Sequence, residues 1–302
     1  MKLTPRTKKI LTAVVLVFAV SVLSGCTIPR DEAGNIILIT NDTTFSEVMG
    51  RENWFSAILV YPLSKLINLL APSLSIGGAI ALITILVNGI VVALTLKSSI
   101  DQQQMQLLQP ELQKIQRKYE GKDDNNSKMR QAAEMQALYK KYDVNPGSML
   151  LTTFLQLPIM MAMFFAVQRS EAVQTGTFLG MNLQHTPLEA FRALFTGDVS
   201  GINYVILFVL MGVCQFLSVS IPQWLQKKKA EEEARKHHRR PEKADDKGKF
   251  MQYYMLIMIC AIGIMWPAAM SLYWAINSMV NIIKIFVVQK IIDMRKEQKG
   301  AR

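Results

Sequence analysis

The sequence predicts an all-α integral membrane protein: a five-transmembrane-helix bundle with a cytoplasmic helical hairpin and an N-terminal amphipathic helix in the membrane interface. Three observations support this fold class. Half of the 302 residues are hydrophobic, and mean hydropathy is +0.20. Several segments stay apolar for about 20 residues, the length that crosses a bilayer core. Most of the basic residues, which give a net charge of +11, lie between these segments.

The chain begins with a basic stretch and a short apolar run, 10–22, typical of a secretory signal. The run ends in Leu23-Ser24-Gly25-Cys26, which resembles a bacterial lipobox. The resemblance implies that residues 1–25 are a lipoprotein signal peptide, and that Cys26 receives a diacylglyceryl group and becomes the first residue after cleavage. The alternative is an ordinary signal anchor with an incidental cysteine.

Residues 26–75 are predicted to form an extracellular segment that contains the amphipathic helix. Large apolar side chains recur there at helical spacing with polar residues between them, as expected for a helix in the membrane interface: Trp54, Ile58, Leu66 and Leu69. Pro62 is expected to kink or end this helix, because proline lacks a backbone N–H.

Five transmembrane helices are predicted, with Pro158 inside the second and Pro267 after the fourth: 76–96, 148–168, 202–221, 250–266 and 268–289. Lysine and arginine are frequent in 97–147, 222–249 and 290–302, but rare in the loop 169–201. Because basic loops stay in the cytoplasm, the mature N-terminus is predicted outside and the C-terminus inside. The protein is therefore expected in the bacterial plasma membrane, multi-pass, with its lipid anchor on the outer face.

The segment 97–147 is too long for a simple turn. Apolar residues alternate spacings of three and four in two arms: Met105, Leu108, Leu112, Ile115 and Tyr119, then Ala132, Met135, Tyr139 and Tyr142. Polar residues 121–126 between the arms indicate a loop. We therefore predict an antiparallel cytoplasmic hairpin, kinked at Pro110.

The sequence lacks the motifs that several classes of enzyme and transporter require. There is no P-loop and no His-Glu-x-x-His motif, and the three histidines lie outside the predicted spans. The spans contain no Asp, Glu or Arg, which disfavours proton-coupled transport and carboxylate-based catalysis. We predict no enzyme activity, cofactor, metal or DNA partner. The basic loop 222–249 could grip RNA phosphates, but orientation in the membrane explains it more simply.

Uncharged polar side chains form stripes in four of the spans. The set we predict as a hydrophilic groove is Thr84, Asn88, Gln156, Gln215, Tyr273, Trp274 and Asn277. Asn281 and Lys284 continue the last stripe, and Lys284 could also reach the headgroups. The alternative is hydrogen bonding between helices, worth about 1 kcal/mol or less for each contact.

Four groups of residues resemble the YidC/Oxa family of membrane protein insertases, in order and spacing: Leu108-Gln109-Pro110-Glu111-Leu112 with Tyr119; Tyr139 to Pro146 with Gln156-Leu157-Pro158; Phe178-Leu179-Gly180; and Pro267 with Leu272-Tyr273-Trp274 and Asn277. A lipoprotein signal before five spans is the pattern of the Gram-positive branch.

The resemblance implies a groove that opens to the cytoplasm and to lipid. Nascent integral membrane proteins, with lipoproteins as a further client class, would enter it without nucleotide, alone or with the Sec translocon. The hairpin would make the first contact through these residues: Gln109, Pro110, Glu111, Tyr119 and Tyr139. The ribosome would meet the basic tail, and membrane lipids would surround the bundle.

One position departs from the family pattern. Its first span usually carries Thr-x-x-x-Arg, but here the pattern is Thr84 to Asn88, and Ala93 replaces the usual proline. This substitution suggests a specialised paralogue with an altered client range. Two other functions remain open from the sequence: a solute transporter or channel, and a chaperone that helps spans pack without inserting them.

Overall fold

The computed structural model describes residues 28–197, 199–236 and 246–300. The predicted signal peptide, Cys26 and part of the basic loop lie outside these residues. The regular structure is helical, with three isolated β-bridges. A π-helical turn at Ser56–Val60 and a 3₁₀ turn at Val199–Gly201 accompany ten α-helices in the described ranges: α1 Phe45–Arg51, α2 Tyr61–Leu107, α3 Gln109–Lys118, α4 Asn125–Lys141, α5 Ser148–Arg169, α6 Glu171–Thr175, α7 Pro187–Phe195, α8 Ile202–Lys236, α9 Asp246–Gly263 and α10 Ala268–Gly300.

Three helical segments are long and apolar enough to cross a membrane: Ser56–Leu107, Val199–Lys229 and Ala268–Met294. Two shorter apolar helices, Leu155–Arg169 and Tyr253–Gly263, accompany them among the described residues. The structure therefore supports an all-helical membrane protein. The count of five spans stays a prediction.

The helix α2 does not end at Pro62, so of the two expected effects of this proline the ending of the helix is wrong. A π turn precedes this proline, with Tyr61 N–H donating to the Ser56 carbonyl, and the helix then continues through Pro62. The larger irregularity is Ser75, at φ 64° and ψ 162°. Its hydroxyl accepts from Gly78 N–H at 3.3 Å, so Ser75 caps the helical stretch that begins beside the predicted boundary at residue 76.

The predicted kink at Pro110 is present. The helix α2 ends at Leu107, and Pro110 lies in the first turn of α3, where its missing N–H is tolerated. The polar loop ends with Asp124, which caps α4 by accepting from Ser127 N–H at 2.8 Å. Pro267 likewise separates α9 from α10, whereas α5 continues through Pro158.

The chain divides into two compact units. In the first, which comprises residues up to 83 and 156–185, apolar side chains of α2 and α5 form the core. Phe55 and Phe165 meet there edge to face, with ring centroids 6.3 Å apart. The core also contains fully buried Ile39, Ile67, Ile80, Met163, Met181 and Leu183.

The second unit comprises 84–155 and the residues from 186 onward. Its helices α8 and α10 pack along each other, and α7 and α9 pack against α8. Stacked rings of Phe216 and Tyr253 join α8 to α9 at 6.3 Å. An apolar cluster of Ile100, Val288 and Ile292 joins the C-terminal part of α2 to α10.

Candidate functional site

Thr84 and Asn88 lie one turn apart on α2, and both are buried. The Asn88 side chain is 8% exposed and donates its amide N–H to the Thr84 carbonyl at 2.8 Å. Such bonds to the preceding turn satisfy a polar side chain within its own helix. The stripe on α2 is therefore polar and hydrogen-bonded, and it carries no charge at position 88.

Gln215 belongs to a ladder of hydrogen bonds between α8 and α10. Ser278 donates its hydroxyl to Gln215 Oε1 at 2.6 Å. One turn further along both helices, Asn281 donates its amide N–H to the Ser218 hydroxyl at 2.8 Å. The two bonds pair i, i+3 positions on each helix, so they fix the register of α8 against α10.

Tyr273 and Trp274 lie at the start of α10. Tyr273 is 1% exposed, and its hydroxyl has no hydrogen-bond partner among the residues that the structure describes. Leaving a buried hydroxyl unpaired costs about 1–3 kcal/mol. Trp274 stacks on Trp266 with centroids 5.4 Å apart. Asn277 and Gln156 are half-buried.

Some of the hairpin residues that we predicted to contact clients instead make contacts between α3 and α4. Tyr142 donates its hydroxyl to Glu111 at 2.9 Å, and Tyr119 donates to Glu134 at 2.8 Å. Tyr139 packs against an apolar cluster made of Met105, Leu108, Leu112 and Val144. Pro110 is half-buried, and Gln109 is exposed at the start of α3. Among the five predicted contacts, Gln109 is thus the one most open to a partner.

An exposed ion pair reinforces the same two helices. Lys118 Nζ donates to Glu134 Oε1 at 2.6 Å. This hydrogen bond lowers the pKa of the Glu134 carboxyl, with a further contribution from the Tyr119 hydroxyl, and it raises the pKa of Lys118. The hydrogen bond to Glu134 also raises the pKa of Tyr119.

Sequence reasoning missed a buried ion pair in the first unit. Arg169, the last residue of α5, donates to both Glu52 carboxylate oxygens, at 2.7 and 2.6 Å, and to the Ile37 carbonyl at 2.9 Å. The two side chains are 1% and 5% exposed. The pair binds residues 36–52, which we call the N-terminal strap, to the end of α5. An arginine directly after an apolar segment was the available sequence signal.

Three polar residues on α2 bind the same strap. Tyr61 donates to the Thr43 carbonyl at 3.0 Å, and Lys65 donates to the Thr43 carbonyl at 3.1 Å and to the carbonyl of Asn41. Asn68 donates to the Ile39 carbonyl at 2.5 Å. Their i, i+4, i+7 spacing places them on one helix face. This face of α2 therefore serves to hold the strap.

The sequence matches known proteins over almost its whole length. The family profile described as 60Kd inner membrane protein matches residues 68–297. The chain is 30% identical over 284 residues to the membrane protein insertase YidC of Alkalihalophilus pseudofirmus, covering 92% of this chain and 94% of that protein. It is 34% identical to membrane protein insertase YidC 1 of Streptococcus pyogenes serotype M3, covering 79% and 76%. This chain belongs to the YidC/Oxa family of membrane protein insertases.

A third relative covers more of the chain: membrane protein insertase YidC 2 of Listeria innocua is 28% identical over 297 residues, 97% of this chain and 87% of that protein. These relatives come from Gram-positive bacteria, in line with the branch that the sequence resembles. Among the described residues of this YidC/Oxa chain, no group of His, Cys, Asp and Glu could hold a metal ion.

Proposed function

We infer that this chain is a membrane protein insertase that inserts nascent integral membrane proteins and helps them fold. The observation that carries this conclusion is its match to YidC insertases over nearly the full length of both chains. A solute transporter or channel is not favoured, because nothing in the family match points to one. No covalent chemistry is part of this proposal.

We propose that the client enters a hydrophilic groove within a five-helix bundle, open to the cytoplasm. Asn88 and Thr84 on α2, and Gln215 and Tyr273 from α8 and α10, would line it, with Trp274, Asn277 and Gln156 completing the set. The buried Tyr273 hydroxyl supports this proposal, because it has no hydrogen-bond partner among the described residues and a wet groove would supply one. The bonds between α8 and α10 join the two helices on either hypothesis.

The energetic role of such a groove follows from the cost of moving polar groups through a bilayer. A charged residue at the centre of a membrane helix costs about 2.5–3.5 kcal/mol on insertion scales. A wet groove shortens the apolar distance that a client's polar flank must cross. Partitioning of the client's own apolar helix, helped by the membrane potential, would then drive insertion without nucleotide.

We also propose a membrane topology and partners for this chain. Cys26 would carry a lipid anchor on the outer face, and the C-terminal tail would lie in the cytoplasm. The α3–α4 hairpin, with Gln109 exposed, would meet incoming clients, and the basic tail would meet the ribosome. The Sec translocon would be a partner for larger clients.

The test is reconstitution of the purified chain into liposomes without other translocation factors. A short single-span client should become protease-protected in these liposomes and not in protein-free ones. Gln215→Leu, which breaks the bond to Ser278, should reduce protection. Leu210→Met, at a position 48% exposed on α8, is the matched control and should not.

Equal protection with and without the chain would reject insertion. A client that inserts unaided but reaches its compact fold only with the chain would indicate the packing chaperone instead. Uptake of small solutes by the same liposomes, without client protection, would indicate a channel.

A further inference from the structure

The helix α7 and the 3₁₀ turn after it present apolar side chains to the surroundings. Phe195, at the end of α7, is 90% exposed, and Val199 is 75% exposed. The loop that contains them had no predicted helix. Both side chains are therefore available for contact with the surroundings.

The position of α7 is fixed by contacts with α8 and with the turn between α9 and α10. Leu188 N–H donates to the Ile264 carbonyl at 3.0 Å. A Cβ on Gly201 would lie 2.7 Å from the Ala190 carbonyl oxygen, so this glycine permits a close backbone approach. Phe195 and Val199 are therefore held on a rigid support.

The support lies at the level where α8 enters the bilayer. Tyr204 and the 58% exposed Trp224 are 20 residues apart on α8, or about 30 Å. This separation equals the thickness of the hydrocarbon core, and such aromatic residues mark its two boundaries. Phe191 of α7 contacts Phe208 at a centroid distance of 6.5 Å. Because Phe208 is one turn inside the Tyr204 boundary, α7 lies at the interface.

The exposed side chains also continue the lipid-facing surface of α8. On this helix exposed apolar residues lie on one stripe at helical spacing: Ile202, Ile206, Val209, Leu210, Val213, Phe216 and Leu217. Ile202 is its first member, and Val199 and Phe195 extend the surface beyond the helix. Arg192, three residues before Phe195 and exposed, suits the phosphate level.

We propose that α7 and the turn Val199–Gly201 dock on the membrane, with Phe195 and Val199 inserted among the acyl chains of the leaflet that contains the start of α8. Lipid is the occupant because the surface is continuous with that of a membrane-spanning helix. This docking sets the depth of α8 and, through Leu188, of the turn before α10. The proposal does not depend on insertase activity.

The test uses spin labels on the full chain in lipid vesicles, with Cys26 replaced by serine and Cys214 and Cys260 by alanine. Single cysteines are placed by Phe195→Cys and Val199→Cys. Leu210→Cys serves as a control in the bilayer, and Glu189→Cys as a control on another face of α7, where Thr186 still caps the helix. Labels at 195 and 199, like the label at 210, should collide more often with oxygen dissolved in the membrane than with a water-soluble nickel complex. The label at 189 should collide more often with the nickel complex.

Two outcomes would overturn the proposal. Labels at both 195 and 199 that collide mainly with the nickel complex, as at 189, would place the surface in water. Dipolar broadening that disappears on dilution with unlabelled protein would show that a second copy covers the surface instead of lipid.

Discussion

Arg169 and Glu52 are a pair of opposite charges that are almost fully removed from water. Removing such ions from water is costly, and their attraction offsets the cost only with good geometry and further hydrogen bonds. Here the guanidinium binds both carboxylate oxygens and also the Ile37 carbonyl. The pair therefore fixes the N-terminal strap in one place. Removing one partner should destabilise the protein mainly because the other charge would stay buried and unpaired.

Arg169→Met should lower the free energy of unfolding by about 3–5 kcal/mol, because Glu52 would keep a buried, unpaired charge. Thermal unfolding in detergent measures the effect. The double variant with Glu52→Met should recover most of the loss. Arg51→Met is the matched control, since Arg51 and Glu47 form a pair that is 54% and 44% exposed, and it should cost at most about 0.5 kcal/mol. Equal losses for Arg169→Met and Arg51→Met would contradict the assignment.

Asn88→Arg tests the client range at the same scale. The new charge should favour insertion of clients with acidic flanking residues over clients with neutral flanks in the liposome assay, because opposite charges attract strongly at low dielectric. Asn88→Met, which removes the bond to Thr84 without adding charge, separates the two effects. If Asn88→Arg changes the insertion of acidic and neutral clients equally, the hypothesis that charge at this position selects clients is wrong.

The helix α2 contains glycines with opposite surroundings. A Cβ at Gly77 would lie 2.4 Å from the Phe178 ring, whereas a Cβ at Gly89 would meet nothing within 4 Å. Gly77 therefore allows the turn around Phe178 to pack directly on the helix. Gly89 has no such role in the described surroundings.

Gly77→Ala should destabilise the protein by about 1–3 kcal/mol, the usual cost of adding atoms to a packed site. Gly89→Ala should be neutral or stabilising by up to about 1 kcal/mol, because alanine favours helix. Unfolding of both variants in detergent measures the difference. Combining Gly77→Ala with Phe178→Leu should relieve the clash, and a similar loss in the double variant would show another cause.

The α3–α4 pair should respond to pH through Lys118 and Glu134. The pKa of Glu134 is lowered in the folded pair, so its contribution is present above the ordinary carboxyl pKa and is lost as pH falls through the lowered value. The pKa of Lys118 is raised, so its contribution is complete below the ordinary lysine pKa and is lost as pH rises through the raised value. Amide hydrogen exchange of α3 and α4, corrected for intrinsic rates, measures the stability of the pair along both parts of this pH profile, which we call the acidic limb (Glu134) and the basic limb (Lys118).

Glu134→Gln is the matched control for this titration. It should weaken protection at neutral pH and remove the acidic limb. An acidic limb that persists unchanged in Glu134→Gln would assign it to another carboxyl group.

At the scale of the whole molecule, the contributions of the apolar helices and of the proposed lipid on Cys26 to membrane attachment can be separated. Cys26→Ser should abolish incorporation of labelled palmitate while the protein stays in the membrane after carbonate extraction, because the spanning helices bind far more strongly than one lipid group. Cys260→Ser should keep the label. Equal labelling of the Cys26→Ser variant would disprove the anchor.

Local signals predicted much of this molecule. Pro110 and the loop around Gly121 separated helices where expected, because proline and polar turn residues act within a few positions. The buried pair of Arg169 and Glu52 was missed, since no local pattern links residues so far apart. The helix α7 was missed despite Thr186-Pro187-Leu188-Glu189, a capping box with proline at the first position. The partners of Gln215 could not be predicted, because the register of two helices depends on their packing.

The N-terminal strap has a consequence for the order of biosynthesis. Glu52 is synthesised 117 residues before Arg169, a delay of roughly 6–23 s at 5–20 residues per second. During that interval Glu52 lacks the partner that it has in the folded chain, although Tyr61, Lys65 and Asn68 of α2 are synthesised earlier and can already bind the strap. The ion pair therefore forms only after the chain has been synthesised as far as the end of α5. An insertase must itself be assembled, and this ion pair joins two segments of it that are synthesised far apart in time.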